Sequence, residues 1–273
     1  MLRAPFPCIF LAVALGLVLA ACQSDKKETS PSAADDPYAG WKTYTNGTLR
    51  VHYPEGHPMA AHVEEMAHVF PALMRRDAQF FQVPVPTDTI EVYFYTGVGH
   101  GHKITGTYYP YADTSVIHFW LPSNYGPIMA QLMLKRWYPG EPKFRFLKHG
   151  VRALLEFAGV NYHQRTQELI DSGKFVSLAE LAADTASDDY PDTESEQIRR
   201  ALGASFVDFL VVHEGIRAFG MMYSSPLPFD STVQRMFSVS ADSLQQLWLN
   251  FVPLGAHPEE LGRLPPEAPP AVP

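Results

Sequence analysis

The chain has 273 residues, 46% of them hydrophobic and 12% aromatic, which is enough to bury the core of one large domain or two small lobes. Its net charge of −8, without a basic stripe, argues against a nucleic-acid partner and against electrostatic capture by anionic lipid. Cys8 and Cys22 are its only cysteines, so a Cys-based metal site or a disulfide framework is not expected.

Arg3 supplies a short positive segment, and residues 9–21 (IFLAVALGLVLAA) form an apolar run too short for an ordinary membrane span. Leu19-Ala20-Ala21-Cys22 matches a bacterial lipobox, with small residues before a cysteine that would take the diacylglyceryl group. The expectation is a signal peptide over 1–21 and a lipid anchor on Cys22, each buried methylene contributing about 0.8 kcal/mol. Gln23 after the cysteine, rather than Asp, resembles outer-membrane sorting, so the expected place is the bacterial cell envelope, at the outer membrane facing the periplasm. Residues 22–40 are polar and charged and read as a flexible tether.

Trp41 opens the folded part, and Thr48–Tyr53 alternates as a strand. Pro58–Val83 carries an apolar stripe at helical spacing, with Pro71 expected to kink or split it. Thr89–Thr96 (TIEVYFYT) is the strongest strand, and the glycines and histidines of 97–106 read as a loop over a groove. Thr107–Leu121 reads as one strand or as a hairpin turning near Ala112-Asp113. Beyond Pro122 the pattern is helical: 126–137, 146–157, a short helix over 177–183 with a Ser177/Glu180 capping box, 197–213 and 231–252. Asp184–Glu196 reads as a solvated acidic loop, lacking the spacing and glycine of a calcium loop, and the Pro-rich end over 265–273 as a tail.

Catalytic motifs are scarce. There is no G-x-S-x-G elbow, no S-x-x-K and no phosphate-binding glycine loop. Ser205 sits inside an amphipathic helix, and Glu156 and Asp208 have no partner evident in the sequence. His62 and His68 are six residues apart, about 240° around a helix, and do not converge. His213-Glu214 is followed by Arg217 where a second ligand would stand, and His118 lies on a strand among apolar residues, read as a hydrogen-bonded core or cleft histidine. Gly99-His100-Gly101-His102 offers two imidazoles on a loop but no third ligand.

Five segments in order nevertheless resemble a peptidase-MA-like (gluzincin) domain over residues 41–253. They are the V-Y-F-Y strand with the helix at Ile128, FLKHGVRALLEF, SLAEL at 177–181, ALGASFVDFL at 201–210, and MFSVSADSLQQLWLNFV at 236–252. The resemblance implies an α+β, zincin-like fold: a small N-terminal mixed sheet with one long helix over 41–125, then a helical half over 126–253, then a tail over 254–273. It also implies a groove edged by the strand 107–121, which in zincins takes an extended substrate by strand addition. On that frame the zinc motif of two histidines and a glutamate falls on Ala130, Gln131 and Leu134, and the third ligand on His149. Ala and Leu cannot ligate zinc and Gln is no base at neutral pH, so the resemblance implies no metal, no cofactor and no catalytic residues. The expectation is a pseudopeptidase whose groove at Ala130, Gln131, Leu134 and His149 binds a peptide, a glycan or an envelope protein. Two alternatives stand beside it: an active hydrolase with unrecognised ligands, and a purely structural envelope lipoprotein.

Overall fold

The computed structural model describes residues 36–56, 60–156, 159–184 and 193–254, and the chain divides into a unit up to Ala39 and one from Gly40 onward, which is the subject here. The expected signal peptide, Cys22, most of the tether, the Pro-rich tail and the middle of the acidic loop lie outside the described residues. No helix among the described residues is long and apolar enough to cross a membrane.

The architecture is α+β, a small mixed sheet followed by a helical half. Strands β1 (Trp41–Asn46), β2 (Leu49–Pro54), β3 (Ile90–Tyr95), β4 (Tyr111–Ala112) and β5 (Val116–Trp120) form one sheet in the order β1-β2-β3-β5-β4. β2, β3 and β5 run parallel, and β1 and β4 close the two edges antiparallel. Alternation decides the faces. Leu49, Val51, Ile90, Val92, Phe94, Ile117 and Phe119 point to one side and are buried. On the other side one residue per strand lines up in a row: Thr43, His52, Tyr93, His118 and Tyr111. The four rings stack with centroids 4.8, 5.3 and 4.6 Å apart and planes within 22°. Their faces are therefore used on each other, and the row acts as a clamp across the strands. His118 sits in this outer row rather than in the core. Burial pushes its pKa down to about 4, and the neutral Nδ1 accepts from Tyr95 Oη at 2.7 Å.

Helix α1 (Ala61–Phe81) covers the buried face and passes Pro71 without a break. The expected split is absent, and the backbone group that proline leaves open has a partner from outside the helix. Proline has no N–H for the carbonyl of Ala67, and Asn46 Nδ2 donates to that oxygen instead, at 2.9 Å. The glycine-histidine segment expected as a loop is helix α2 (Val98–Thr105). A Cβ on Gly101 would lie 2.6 Å from the Trp120 ring, so this glycine serves close packing rather than freedom. The segment 107–121 is the hairpin of the two readings, with Asp113 N–H donating to Val116 O at 2.8 Å. Its edge strand β4 has only two residues, while β5 lies inside the sheet, so strand addition has little backbone to use.

The helical half comprises α3 (Tyr125–Trp137), α4 (Arg145–Leu154), α5 (Tyr162–Asp171), α6 (Leu178–Ala183), α7 (Glu194–Glu214), α8 (Ile216–Tyr223), α9 (Phe229–Phe237) and α10 (Ala241–Phe251). The Ser177/Glu180 capping box is present at α6. A second box, Thr193/Glu196, starts α7 earlier than expected and takes the end of the acidic segment into the helix. The expected helix over 231–252 is two, because Ser238 adopts a left-handed conformation (φ 59°) that ends α9.

Among the described residues two hydrophobic clusters form, and α3 belongs to both. Ile128, Met129 and Leu132 pack with the sheet and α1; Ala130, Met133 and Leu134 pack with the helical half. A helix apolar on both flanks must be buried all round, and Gly126 to Leu134 are all buried.

Candidate functional site

One wall of the functional candidate depends on a helix crossing. A Cβ on Gly203 of α7 would lie 2.7 Å from Phe146 O, and a Cβ on Gly150 of α4 would fall inside contact distance of Gly203 O. Only two glycines let these backbones meet. The approach sets the first turns of α7 beside the outward face of α4. From α4 come Arg145, His149 and Arg152, at the i, i+4, i+7 spacing of one helical face, and Glu156 follows just past its end. From α7 come Glu196, Arg199 and Arg200, with Asp184 following α6.

These residues line a cleft of about 500 Å³, within the range of small-ligand sites. The opposite wall comes from the sheet half: Val98, Tyr108, Tyr109, Pro110 and Trp120. The floor comes from the start of α3, where Asn124 caps the helix by accepting from Gly126 N–H at 3.1 Å. The same side chain donates Nδ2–H to Glu156 Oε1 at 3.1 Å. A Cβ on Gly126 would lie 2.6 Å from Leu155 O, which shows how tightly the start of α3 seats on the end of α4.

The lining holds four arginines and three carboxylates, a local cationic surplus on a chain of net charge −8. Arg200 pairs with Glu156, and its pKa is lowered by burial and by the neighbouring Arg152. Two guanidinium groups are therefore held against their mutual repulsion. Arg199 Nε lies 3.1 Å from Asp184 Oδ2, at an angle that forms no hydrogen bond, so this buried N–H lacks a hydrogen-bond partner among the described residues. Arg145 makes no ion pair or hydrogen bond among the described residues. It stands first in α4, at the positive end of a helix whose Phe144 cap offers no side-chain acceptor.

At the end of α4 lies the buried pair Arg76–Asp77. Arg76 Nε donates to Asp77 Oδ1 at 2.6 Å, and Arg76 Nη2 donates to Leu155 O at 2.7 Å, tying α1 to the end of α4. Burial pushes the Asp77 carboxyl up to about 7, against the opposing pull of Arg76.

A second polar cluster is sealed. His163 of α5 lies 2.6 Å through Nε2 from Asp208 Oδ2 and 2.9 Å through Nδ1 from Ser205 Oγ, both on α7. Trp248 Nε1–H donates to Ser205 Oγ at 3.0 Å. One proton arrangement fits all three contacts: the serine O–H donates to Nδ1, and Nε2–H donates to the aspartate. The residue types match a hydrolytic triad, but the imidazole is turned round relative to one, with its Nε2 on the acid. The serine also already accepts the indole N–H, and all three groups are at most 1% exposed. This is a structural bridge between α5, α7 and α10.

Of the residues expected at a groove, His149 lines the cleft. Ala130 and Leu134 lie in the helical core, and Gln131 is buried between them, its Oε1 without a hydrogen-bond partner among the described residues. Among the described residues no group of three His, Cys, Asp or Glu is placed to hold a metal ion. Two carboxylates with no partner evident in the sequence both have one: Glu156 holds Asn124 and Arg200, and Asp208 holds His163. On α1, His62 Nδ1 lies 3.2 Å from Glu65 Oε2 at the exposed surface. His213 meets Glu214 at the exposed end of α7. Two of the arginines had a signal in the sequence, since Arg145 and Arg152 are seven residues apart and share a helical face, whereas Arg199 and Arg200 are adjacent and do not. What joins them is the glycine crossing, which no local pattern announces.

No known protein family, curated protein or solved structure matches this chain.

Proposed function

We propose that this chain is a non-catalytic binding protein of the bacterial cell envelope, lipid-anchored through Cys22 and built on a peptidase-MA-like frame, and that its ligand is a small anion-bearing molecule held in the arginine cleft. The observation that carries the reading is the cationic surplus: four arginines facing three carboxylates, with Arg145 and the Arg199 N–H awaiting an acceptor among the described residues. Planar guanidinium groups suit carboxylate and phosphate, which they can grip through two parallel hydrogen bonds. The frame enters through the order of the five resembling segments. The burial of Ala130 and Leu134 in the helical core fits residues retained for packing rather than chemistry.

The test is thermal unfolding of the purified chain in phosphate or citrate, against sodium chloride at matched ionic strength, alongside peptide hydrolysis with and without added zinc. The reading expects a rise in melting temperature with the multivalent anions, because a ligand that binds only the folded state stabilises it. It expects no hydrolysis. Zinc-dependent cleavage lost in His149→Ala would overturn it in favour of an active metallopeptidase. The absence of any anion response would leave a structural lipoprotein.

A further inference from the structure

The two walls of the cleft differ in kind. On the sheet side Tyr108 is 59% exposed, and one face of its ring is covered by the His102 imidazole, with centroids 3.7 Å apart and planes 12° apart. A ring held that way offers its remaining face as a fixed apolar platform. The helical side is a mixture of guanidinium and carboxylate groups. Three carboxylates are a poor lining for a bare anion, which they repel. They are a good lining for hydroxyl groups, whose O–H needs an acceptor inside a partly dried cleft. Glu156 is already fixed for that role by Asn124 and Arg200. A ligand matching both walls therefore carries a ring face, several hydroxyls and one negative group. A nucleotide would satisfy the ring and the anion but present few hydroxyls to three carboxylates, and an acidic peptide would leave the tyrosine face unused.

Resting on the binding function above, we propose that the ligand is an anionic saccharide, its ring against Tyr108, its hydroxyls on Glu156 and its neighbours, and its carboxylate or phosphate on Arg145 and Arg199. No covalent step is involved. The arrangement splits recognition in two: the tyrosine distinguishes a sugar from a free anion, and the arginines distinguish a charged sugar from a neutral one.

Titration calorimetry on the full chain with six probes tests this: digalacturonate, glucose 6-phosphate, maltose, glucose, inorganic phosphate and uridine monophosphate. The expected result is that digalacturonate or glucose 6-phosphate binds at least tenfold tighter than both its neutral counterpart and phosphate. Whichever of the two is favoured tells carboxylate from phosphate. Arg145→Ala should remove the preference over neutral sugar, and Tyr108→Ala the preference over phosphate, while Tyr108→Phe keeps it. Both positions are solvent-facing and outside the two cores, so the variants fold. Phosphate binding as tightly as the sugar phosphate, unchanged in Tyr108→Ala, overturns the saccharide and leaves the anion cleft standing. Tighter binding of uridine monophosphate overturns it in favour of a nucleotide. Failure of every probe, phosphate included, overturns the cleft as well.

Discussion

Ser205 and Asp208, in the middle of α7, and Arg199 and Arg200, less than two turns nearer its start, belong to polar clusters that follow opposite rules. In the first, His163 is paired with Asp208, Ser205 with His163 and Trp248 with Ser205, and the set is closed to water, with Asp208 Oδ1 alone left without a hydrogen-bond partner among the described residues. In the second, cations outnumber acids, two arginines crowd each other, and a buried N–H has no hydrogen-bond partner among the described residues. The residue types alone point the wrong way, since Ser-His-Asp reads as chemistry and scattered arginines read as surface. Access and charge balance reverse that order. A sealed network built on one His–Asp pair specifies packing, whereas an open cluster with surplus cations is arranged for something the chain does not itself contain.

The comparison breaks most visibly in stability. Asp208→Ala leaves His163 buried with its Nε2–H unpaired and should cost about 3–5 kcal/mol in urea unfolding, with no change in anion affinity per folded molecule. A loss below 1 kcal/mol would mean that the network is not a stabilising bridge. Next comes the crossing that both clusters share. Gly150→Ala forces a methyl into the α7 backbone, with an expected cost of about 1–3 kcal/mol, and it should weaken anion binding too, because the arginine faces of α4 and α7 are pushed apart. Full retention of anion response in that variant would show that the crossing does not set the cleft.

How much of this was legible follows from whether the cause is local. The Ser177/Glu180 box was readable because all its atoms lie within four residues, and the equivalent Thr193/Glu196 box was equally present but hidden in a run of acids. Strand β1 (WKTYTN) carries no clear alternation of burial and exists because β2 pairs with it across its whole length. The helix α2 was hidden by its glycines, and the reason for one of them, Gly101, is the Trp120 ring nineteen residues downstream. At the site, His149 was singled out, but as a displaced metal ligand rather than as one residue of an arginine stripe. The sealed network draws on α5, α7 and α10, and no spacing rule joins such distant segments.

Asp77 offers a pH-dependent test of a sealed charge. Its folded pKa is raised to about 7, above the usual carboxylate value of about 3.9. The unfolded chain therefore releases this proton first. The contribution to stability is complete below about pH 4 and is lost as pH rises through about 7. Melting temperature should fall across that window, and Asp77→Asn should flatten the fall. An unchanged slope in the variant would assign the pH dependence to other groups. Because Arg76 also holds Leu155 O, the same rise in pH should leave anion binding intact only if Arg76 keeps its place against the end of α4.

The smallest change in stability falls at the open cluster, and there the comparison is sharpest. Arg145 has neither a partner among the described residues nor a place in either core, so Arg145→Ala should unfold within about 0.5 kcal/mol of the parent chain when no multivalent anion is present. Phosphate or citrate should then separate the two, raising the melting temperature of the parent chain and leaving the variant behind, while Asp208→Asn rises in parallel with the parent from a lower start. The crossed design is what decides the matter: one variant moves the baseline and keeps the response, the other keeps the baseline and loses the response. If Arg145→Ala lowers the baseline as much as Asp208→Asn does, Arg145 is part of the fold, and the surplus charge that marks the cleft as a binding site is gone.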